Sequence, residues 1–238
     1  MQWLRKVHKW ASLLVGVQLL IWLISGMYFT LMDHHKAGGH QYRAHVQQHP
    51  PEVSDNFIDI SEIIVKTNPV TSVKLVALLG QPYYLLNHEK GLYPHFTNHY
   101  SLYHAKTGNR THIDADFARE LALQSYNGPG EVTSTTLLKH HIEDIPKQQN
   151  PSWRVNFSDE VNTSVYIEAD TGRIVGHSDD DKRFADIFFM LHFMDYNHQG
   201  SFNNWQIMFF AVLMLWLSIT GVIWTIDLVR RGHYKLPL

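Results

Sequence analysis

The sequence predicts an α+β membrane protein in which two transmembrane helices flank an extracytoplasmic domain of two repeats, each a helix followed by an antiparallel sheet. Three observations lead to this prediction: a long apolar run near each end of the chain, a polar and acidic segment between them, and a turn motif that recurs within that segment. Averages over all 238 residues conceal this architecture, because the mean hydropathy of −0.21 and the net charge of −2 resemble those of a soluble protein.

The two apolar runs are long enough to cross a bilayer as helices. Residues 10–32 and 205–226 contain no charged side chain, and about 20 apolar residues in a helix span the hydrocarbon core. A cleaved signal peptide is the alternative for the first run, but the apolar part is too long and no A-x-A-like cleavage site follows it. We therefore predict two transmembrane helices, both retained.

Basic residues next to the spans predict the orientation. Residues 1–9 and 227–238 are short and carry lysine and arginine, and positive flanks mark the cytoplasmic side. Both termini are therefore predicted to be cytoplasmic, and residues 33–204 lie outside. This outer segment holds all but one of the 22 acidic residues, so nucleic acid is not an expected partner. The absence of cysteine fits an oxidising or a reducing compartment equally well.

The outer segment contains an internal duplication. HYSLYHAKTGNRTH at 99–112 and TSVYIEADTGRIVGHS at 163–178 each read as an alternating strand, an A-x-T-G turn and a second extended piece. A glycine that follows threonine in a turn has a structural explanation, since glycine accepts positive φ. We therefore interpret these turns as structural and not as catalytic.

Each copy of the turn is preceded by a further strand-like run and, before that, by a helical pattern. The strand-like runs lie at 81–89 and 151–160, and the helical patterns at about 58–67 and 114–126. The outer segment is thus predicted to divide into halves at 33–112 and 113–204, the second half including the juxtamembrane residues.

Histidines near the spans are the candidate ligands. Neutral imidazole is a good axial ligand for haem iron, and His8 and His192 lie next to the two spans on opposite sides. A lone interfacial histidine can instead be a simple amphipathic anchor. His34, His35 and His198, with nearby carboxylates, are the candidates for a transient iron site, although no histidine spacing here resembles a tight metal cage.

The spans share a small signature, SGMYFTLMD at 25–33 and TGVIWTID at 220–227. Small residues also line one face of the second span. They permit close helix approach, or they leave room for a flat macrocycle. Two spans give little wall around a haem, so the cofactor hypothesis implies a homodimer that forms a four-helix bundle. The residues of the small face are Ala211, Met214, Ser218, Gly221 and Thr225.

Several short motifs together resemble a known family. W-R-V-x-F followed by V-Y-I-E-A-D-T-G-R-I resembles the PepSY domain. R-K-V-H-K-W before the first span, and L-H and I-T-G-V-I-W around the second, resemble the PepSY-associated transmembrane family, whose spans begin with a histidine and end in T-G and an aromatic residue. The chain departs from this pattern at Ser25-Gly26, which replaces T-G, and in the long stretch between His192 and the second span.

The resemblance implies a bacterial inner-membrane protein whose main domain, of two PepSY-like halves, is periplasmic. More narrowly, the chain is similar to VciB-type inner-membrane ferric reductases. This implies one or more b-type haems, held by His8 and His192, and periplasmic ferric iron or a ferric chelate as the electron acceptor. Two alternatives stay open: a non-redox module that holds a partner protein at the membrane surface, and a metal-binding accessory subunit of an iron transporter.

The electron donor is expected to be a separate molecule. The chain has no G-x-G-x-x-G, no P-loop and no H-E-x-x-H motif. Neither terminal segment is long enough for a flavin domain. We expect a cytoplasmic reductase, free reduced flavin or the quinone pool to supply the electrons.

Overall fold

The computed structural model describes residues 2–44, 51, 56–89, 93, 95–139, 141–197 and 203–232. The chain divides into two compact units, Met1–Met32 with Asp186–Leu238, here called the helical unit, and Asp33–Ala185, here called the sheet unit. In chain order the elements are α1 Gln2–Leu31, α2 His34–Ala37, α3 Ile60–Ile64, β1 Ser72–Leu78, β2 Gln81–Glu89, β3 His99–His104, β4 Arg110–Thr111, α4 Ala115–Ser125, β5 Val132–Leu138, β6 Ser152–Phe157, β7 Ser164–Glu168, β8 Ile174–Ser178, α5 Asp180–Phe193 and α6 Trp205–Arg230.

The helical unit contains the two predicted spans. Lys6–Leu31 and Trp205–Arg230 are long and apolar enough to cross a membrane, which confirms the prediction of two such helices. Large apolar side chains point outward from both, with Leu23 69% and Val212 68% exposed. A surface that is apolar around most of its circumference suits contact with lipid and not with water.

The sheet unit is built from two four-stranded sheets. Their strand orders are β1-β2-β3-β4 and β5-β6-β7-β8, and every neighbouring pair is antiparallel. Helix α3 precedes the first sheet and α4 precedes the second. The α+β class, with two helix-plus-sheet repeats between two apolar helices, is therefore confirmed.

Some elements differ from the sequence patterns. The helical pattern at 58–67 forms only the short helix α3, after which turns carry the chain to Asn68 and Pro69. Proline disfavours helical conformation in the residue before it. The edge strands β1 and β5 were not indicated by the sequence, because both are exposed over much of their length and β5, with the sequence VTSTTLL, lacks an alternating apolar pattern.

The backbone of the two halves repeats in detail. The N–H of His104 donates to the carbonyl of Asn109, and the N–H of Glu168 to that of Arg173, both at 2.9 Å. Within these turns Gly108 and Gly172 have φ of +68° and +69°, which L side chains rarely adopt. The structural interpretation of the two Thr-Gly turns thus agrees with their conformation.

One hydrophobic core joins the two halves. Helix α4 begins after Asp114, whose carboxylate caps the N–H of Phe117 at 2.9 Å. Its residues Ala118, Leu121, Ala122 and Ser125 are buried on one face. Ala118, Leu121 and Ala122 pack in a cluster that includes side chains from both sheets, among them Leu78, Tyr83, Leu102, Val155, Phe157, Val165 and Ile167.

The segment that follows α2 pairs with the second half. Ala44 N–H donates to the carbonyl of Ser125 at 2.9 Å, and Asn127 N–H donates to that of Tyr42 at 3.1 Å. Arg43 and Tyr126 form an isolated antiparallel bridge. Residues 42–44, which the sequence patterns group with the first half, therefore hydrogen-bond to residues of the second.

Candidate membrane histidine site

His192 lies at the end of α5 against the C-terminal part of α1. Its Nδ1 is 2.8 Å from the hydroxyl oxygen of Ser25, and its backbone carbonyl accepts a hydrogen bond from Trp22 Nε1 at 2.7 Å. Ser25 is fully buried. Both the side chain and the backbone of His192 are thus tied to the S-G region of the first span.

Aromatic side chains surround His192. Its ring meets Phe29 edge to face at a centroid distance of 5.3 Å and Phe193 at 5.1 Å. Next to them, Tyr28 stacks on Phe188 at 3.9 Å. Such pairs add stabilisation beyond the area they bury, so the aromatic cluster restricts where the imidazole can lie.

His8 lies near the other end of the helical unit, against α6. Its Nδ1 is 3.3 Å from the hydroxyl oxygen of Thr220. Two indole rings flank the imidazole, Trp224 at a centroid distance of 4.6 Å and Trp216 at 6.0 Å. His8 therefore contacts the T-G motif of the second span, much as His192 contacts the S-G motif of the first.

The two histidines do not share a site. Ser25, which contacts His192, lies 17 residues after His8 on the single helix α1, a separation of about 26 Å at 1.5 Å per residue. Ligands of one metal lie only about 2 Å from it. His8 and His192 are also the only histidines in the described part of the helical unit.

The proposed iron ligands at the start of the sheet unit are exposed. His34 and His35 form the start of α2, and Asp33 caps that helix by accepting from the N–H of His35 at 2.9 Å and of Lys36 at 3.3 Å. These backbone hydrogen bonds lower the pKa of Asp33. Among the residues that the structure describes, no three or more His, Cys, Asp or Glu are placed to hold a metal ion. His198 lies outside the described residues, and all three histidines stay predictions.

The small-residue face of α6 is mostly outside the contact with α1. Ala211, Ser218 and Thr225 are exposed, and Met214 and Gly221 are partly exposed. A Cβ placed on Gly221 would meet nothing within 4 Å. This face is thus available to a cofactor, lipid or another helix, and it does not serve the packing of α1 on α6 within one chain.

The hydroxyls of Ser25 and Thr220 were not selected as site residues by the sequence patterns. The signal was present, because each occupies the first position of the S-G and T-G signatures. The sequence patterns assign close helix approach, or room for a macrocycle, to the small-residue face of the second span and assign no contact to these two hydroxyls. Which residue of one helix meets which histidine depends on the helix packing, and only the structure provides it.

The sheet unit also contains a buried histidine. His177 is 3% exposed, and its Nε2 lies 3.0 Å from the hydroxyl of Ser125. Burial, with the nearby positive charges of Arg43 and His40, lowers the pKa of His177 to about 4. The imidazole of His177 is therefore neutral in the folded protein at neutral pH, as expected of a core residue.

Two apolar helices around a duplicated α+β domain define a membrane protein with one large domain between its spans. The chain matches the family described as the PepSY-associated TM region over residues 5–236 and belongs to that family. No curated protein and no solved structure matches the chain.

Proposed function

We propose that this protein carries electrons across the bacterial inner membrane through b-type haem and reduces periplasmic ferric iron to ferrous iron in support of iron uptake. The observation that supports the proposal is the pair of histidines in the helical unit. One lies toward each end, and each is in contact with the Ser-Gly or Thr-Gly motif of a span.

The spacing of the two histidines suits a carrier near each face of the membrane. Ser25, which contacts His192, lies about 26 Å along α1 from His8, and the hydrocarbon core is about 30 Å thick. A single haem near one face would not carry electrons to the other face. His8 toward the predicted cytoplasmic end and His192 toward the predicted outer end would each hold one group.

The residues present fit a haem. Each imidazole uses Nδ1 for a hydroxyl contact, so Nε2 is the nitrogen left for iron. A Cβ placed on Gly221, next to the Thr220 that contacts His8, would meet no atom within 4 Å, so a flat ring would meet no side chain at this position of α6. When bound, haem with two histidine ligands supplies a low-spin centre that exchanges single electrons, and the chain supplies ligands, orientation and burial.

A second copy of the chain would complete each site. The described part of the helical unit offers one histidine at each level, whereas such a centre takes two. A twofold axis along the membrane normal would bring two His8 side chains to one level and two His192 side chains to the other. The exposed small face of α6, with Ala211, Ser218 and Thr225, would let two helices approach closely.

The acceptor would be ferric iron or a ferric chelate on the side of the sheet unit. Each ferric ion takes one electron and leaves as ferrous iron. His34, His35 and His198 are the proposed transient ligands near the outer surface, since imidazole nitrogen suits iron. The basic flanks favour a donor on the cytoplasmic side, where a separate reductase, free reduced flavin or the quinone pool would deliver electrons.

A visible spectrum of the full chain purified in mild detergent tests the proposal. We expect reduced-minus-oxidised bands of b-type haem, which decrease in His8→Ala and in His192→Ala. Reduction of a ferric chelate, followed with a ferrous-specific chelator, should be lost in the same two variants. His112→Ala, at an exposed position of the sheet unit, is the matched control and should keep both signals.

Two results would contradict the proposal. A colourless protein from haem-replete cells would remove the basis for electron transfer. A full haem spectrum in the His192→Ala variant would show that another residue holds the outer haem, and His34 or His35 would replace His192 as the candidate.

A further inference from the structure

The hydroxyl groups that touch the two histidines also contact carbonyl oxygens of their own helix, the nearer one four residues earlier and a second one three residues earlier, at 3.2 Å for Ser25 and 3.1 Å for Thr220. Ser25 Oγ lies 2.7 Å from the carbonyl oxygen of Ile21, as well as 2.8 Å from His192 Nδ1. Thr220 Oγ1 lies 2.9 Å from the carbonyl oxygen of Trp216, as well as 3.3 Å from His8 Nδ1. In both places one hydroxyl stands between a carbonyl oxygen and an imidazole nitrogen.

The single proton of the hydroxyl decides the hydrogen bonding. A carbonyl oxygen only accepts, whereas an imidazole nitrogen donates or accepts according to its tautomer. If Ser25 gave its proton to His192 Nδ1, its oxygen would face the carbonyl oxygen of Ile21 at 2.7 Å with no proton between them. If it gives the proton to that carbonyl, its oxygen accepts from an Nδ1–H group and both contacts are hydrogen bonds.

The apolar surroundings increase the free-energy difference between these two hydrogen-bonding arrangements. Ser25 is fully buried in the helical unit, and an unmade hydrogen bond costs more where water cannot replace it. Donation from a serine or threonine hydroxyl to the carbonyl four residues earlier is also a usual pattern within helices.

We infer that Ser25 and Thr220 are positioning residues that hold His192 and His8 as the Nδ1–H tautomer and so direct an unprotonated Nε2 away from the hydroxyl. The use of that Nε2 for haem iron rests on the proposed function. The tautomer itself follows from contacts within the chain. A metal-ligating histidine needs its other nitrogen held by a hydrogen-bond partner, which fixes ring orientation.

The outer pair is the more firmly held of the two. The Ser25 contact is 0.5 Å shorter than the Thr220 contact, at 2.8 Å against 3.3 Å. In addition, Trp22 Nε1 donates to the backbone carbonyl of His192 at 2.7 Å. Loss of the hydroxyl should therefore change the tautomer of His192 more than that of His8.

The test uses variants that separate the hydroxyl from the volume it fills. Ser25→Ala and Thr220→Val remove the hydroxyl, and Thr220→Val keeps the shape of threonine. Ser25→Thr and Thr220→Ser are the conservative variants that retain it. Thr30→Val is the matched control, because Thr30 Oγ1 bonds to the carbonyl of Gly26 at 3.0 Å and contacts no histidine in the described residues.

Nitrogen-15 NMR of histidine-labelled full chain in lipid nanodiscs, without haem, reads the tautomer directly. The signals of His8 and His192 are assigned by difference from His8→Gln and His192→Gln. We expect protonated Nδ1 and unprotonated Nε2 at both positions in the wild-type chain. Ser25→Ala and Thr220→Val should shift their histidine toward the Nε2–H form, whereas the conservative variants and Thr30→Val should not.

Titration with haemin is the second readout. Loss of the hydroxyl should weaken binding at that level of the membrane about 10–100-fold, with recovery in Ser25→Thr and Thr220→Ser. An Nε2–H tautomer in the wild-type chain, or no change of tautomer in Ser25→Ala, would overturn the inference. The predicted tautomers without any haem binding would support the inference and contradict the proposed function.

Discussion

The two A-x-T-G turns of the sheet unit share a backbone and differ in the residue that ends the strand before them. In the first copy this residue is His104, which is partly exposed and accepts from the N–H of Lys106 at 3.2 Å. In the second copy it is Glu168, which is 1% exposed. The comparison teaches that backbone hydrogen bonds and the glycine define the turn, while its side chains are free to take different roles.

Hydrogen bonds occupy both carboxylate oxygens of Glu168. Oε1 accepts from Gln148 at 2.9 Å and from Asn150 at 2.8 Å, and Oε2 accepts from Thr171 at 2.6 Å. The Arg173 guanidinium donates to both oxygens, at 3.2 and 3.3 Å. A buried charge is tolerated when it is paired and fully hydrogen-bonded, and the second turn meets this condition.

The two turns should differ most in the stability lost when Glu168 or His104 is replaced by alanine. Glu168→Ala would remove the buried carboxylate that accepts hydrogen bonds from Gln148, Asn150 and Arg173. We expect the free energy of unfolding to fall by about 3–5 kcal/mol. His104→Ala should cost less than about 1 kcal/mol, because His104 is partly exposed and its ring accepts a hydrogen bond from the N–H of Lys106, two residues away in the chain.

Urea unfolding of the full chain in detergent, read by pulse proteolysis of the sheet unit, measures both values. Glu168→Gln is a useful intermediate, since it removes the charge and keeps one acceptor oxygen. Equal losses for Glu168→Ala and His104→Ala would show that the buried network contributes no more than the exposed turn.

A second difference depends on pH, because the second half also buries His177. The unfolded chain binds a proton at this residue below pH 6.5, whereas the folded protein binds it only near pH 4. The free energy of unfolding should therefore fall as the pH drops from about 6.5 to about 4, by up to about 3 kcal/mol, and lose no more below that range.

Unfolding measured between pH 4 and 7 for the wild type and for His177→Gln checks this contribution. The difference between the two profiles isolates His177 from other groups that titrate in the same range, such as Asp179 and Asp170, whose pKa values burial raises. Parallel profiles would contradict the assignment of a neutral, buried imidazole.

The smallest expected difference concerns the two glycines. Alanine at Gly108 or Gly172 carries the strain of positive φ, about 1–2 kcal/mol. At Gly172 the added Cβ would also meet Leu78 Cδ1 at 2.9 Å and Ile113 Cδ1 at 3.0 Å, whereas at Gly108 it would meet one side chain, Ile58, at 3.0 Å. Gly172→Ala should therefore be more destabilising than Gly108→Ala by about 1 kcal/mol. The same urea assay measures both variants. A greater loss of stability for Gly108→Ala would show that Leu78 and Ile113 move aside at little cost.

Sequence patterns were sufficient for features that depend on local chemistry. The spans follow from long apolar runs, and the turns follow from the Thr-Gly pairs with glycine at positive φ. The sequence patterns do not predict edge strand β5, because its residues are exposed or only partly buried and carry no alternating apolar signal. The short helix α3 was predicted too long, since the apolar residues around it continue into turns.

The candidate site was predictable only in part. His8 and His192 were selected by their position next to the spans, but the hydroxyls that contact them lie 212 and 167 residues away in sequence. Such pairings depend on how two helices are offset along their axes, which packing determines. The aromatic rings around His192 could be noticed as residues, yet their contact with α1 could not be derived from spacing.

The pairing of residues 42–44 with residues 125–127 has a consequence for the order of folding during synthesis. Because Arg43 is bridged to Tyr126, residues 42–44 are separated from their pairing partners by the first sheet and helix α4 in the chain. About 80 residues must follow before the partner of Arg43 emerges, which takes about 4–16 s at 5–20 residues per second. The first half thus has time to form its sheet before this bridge closes, and a chain arrested before Tyr126 would present residues 42–44 unpaired.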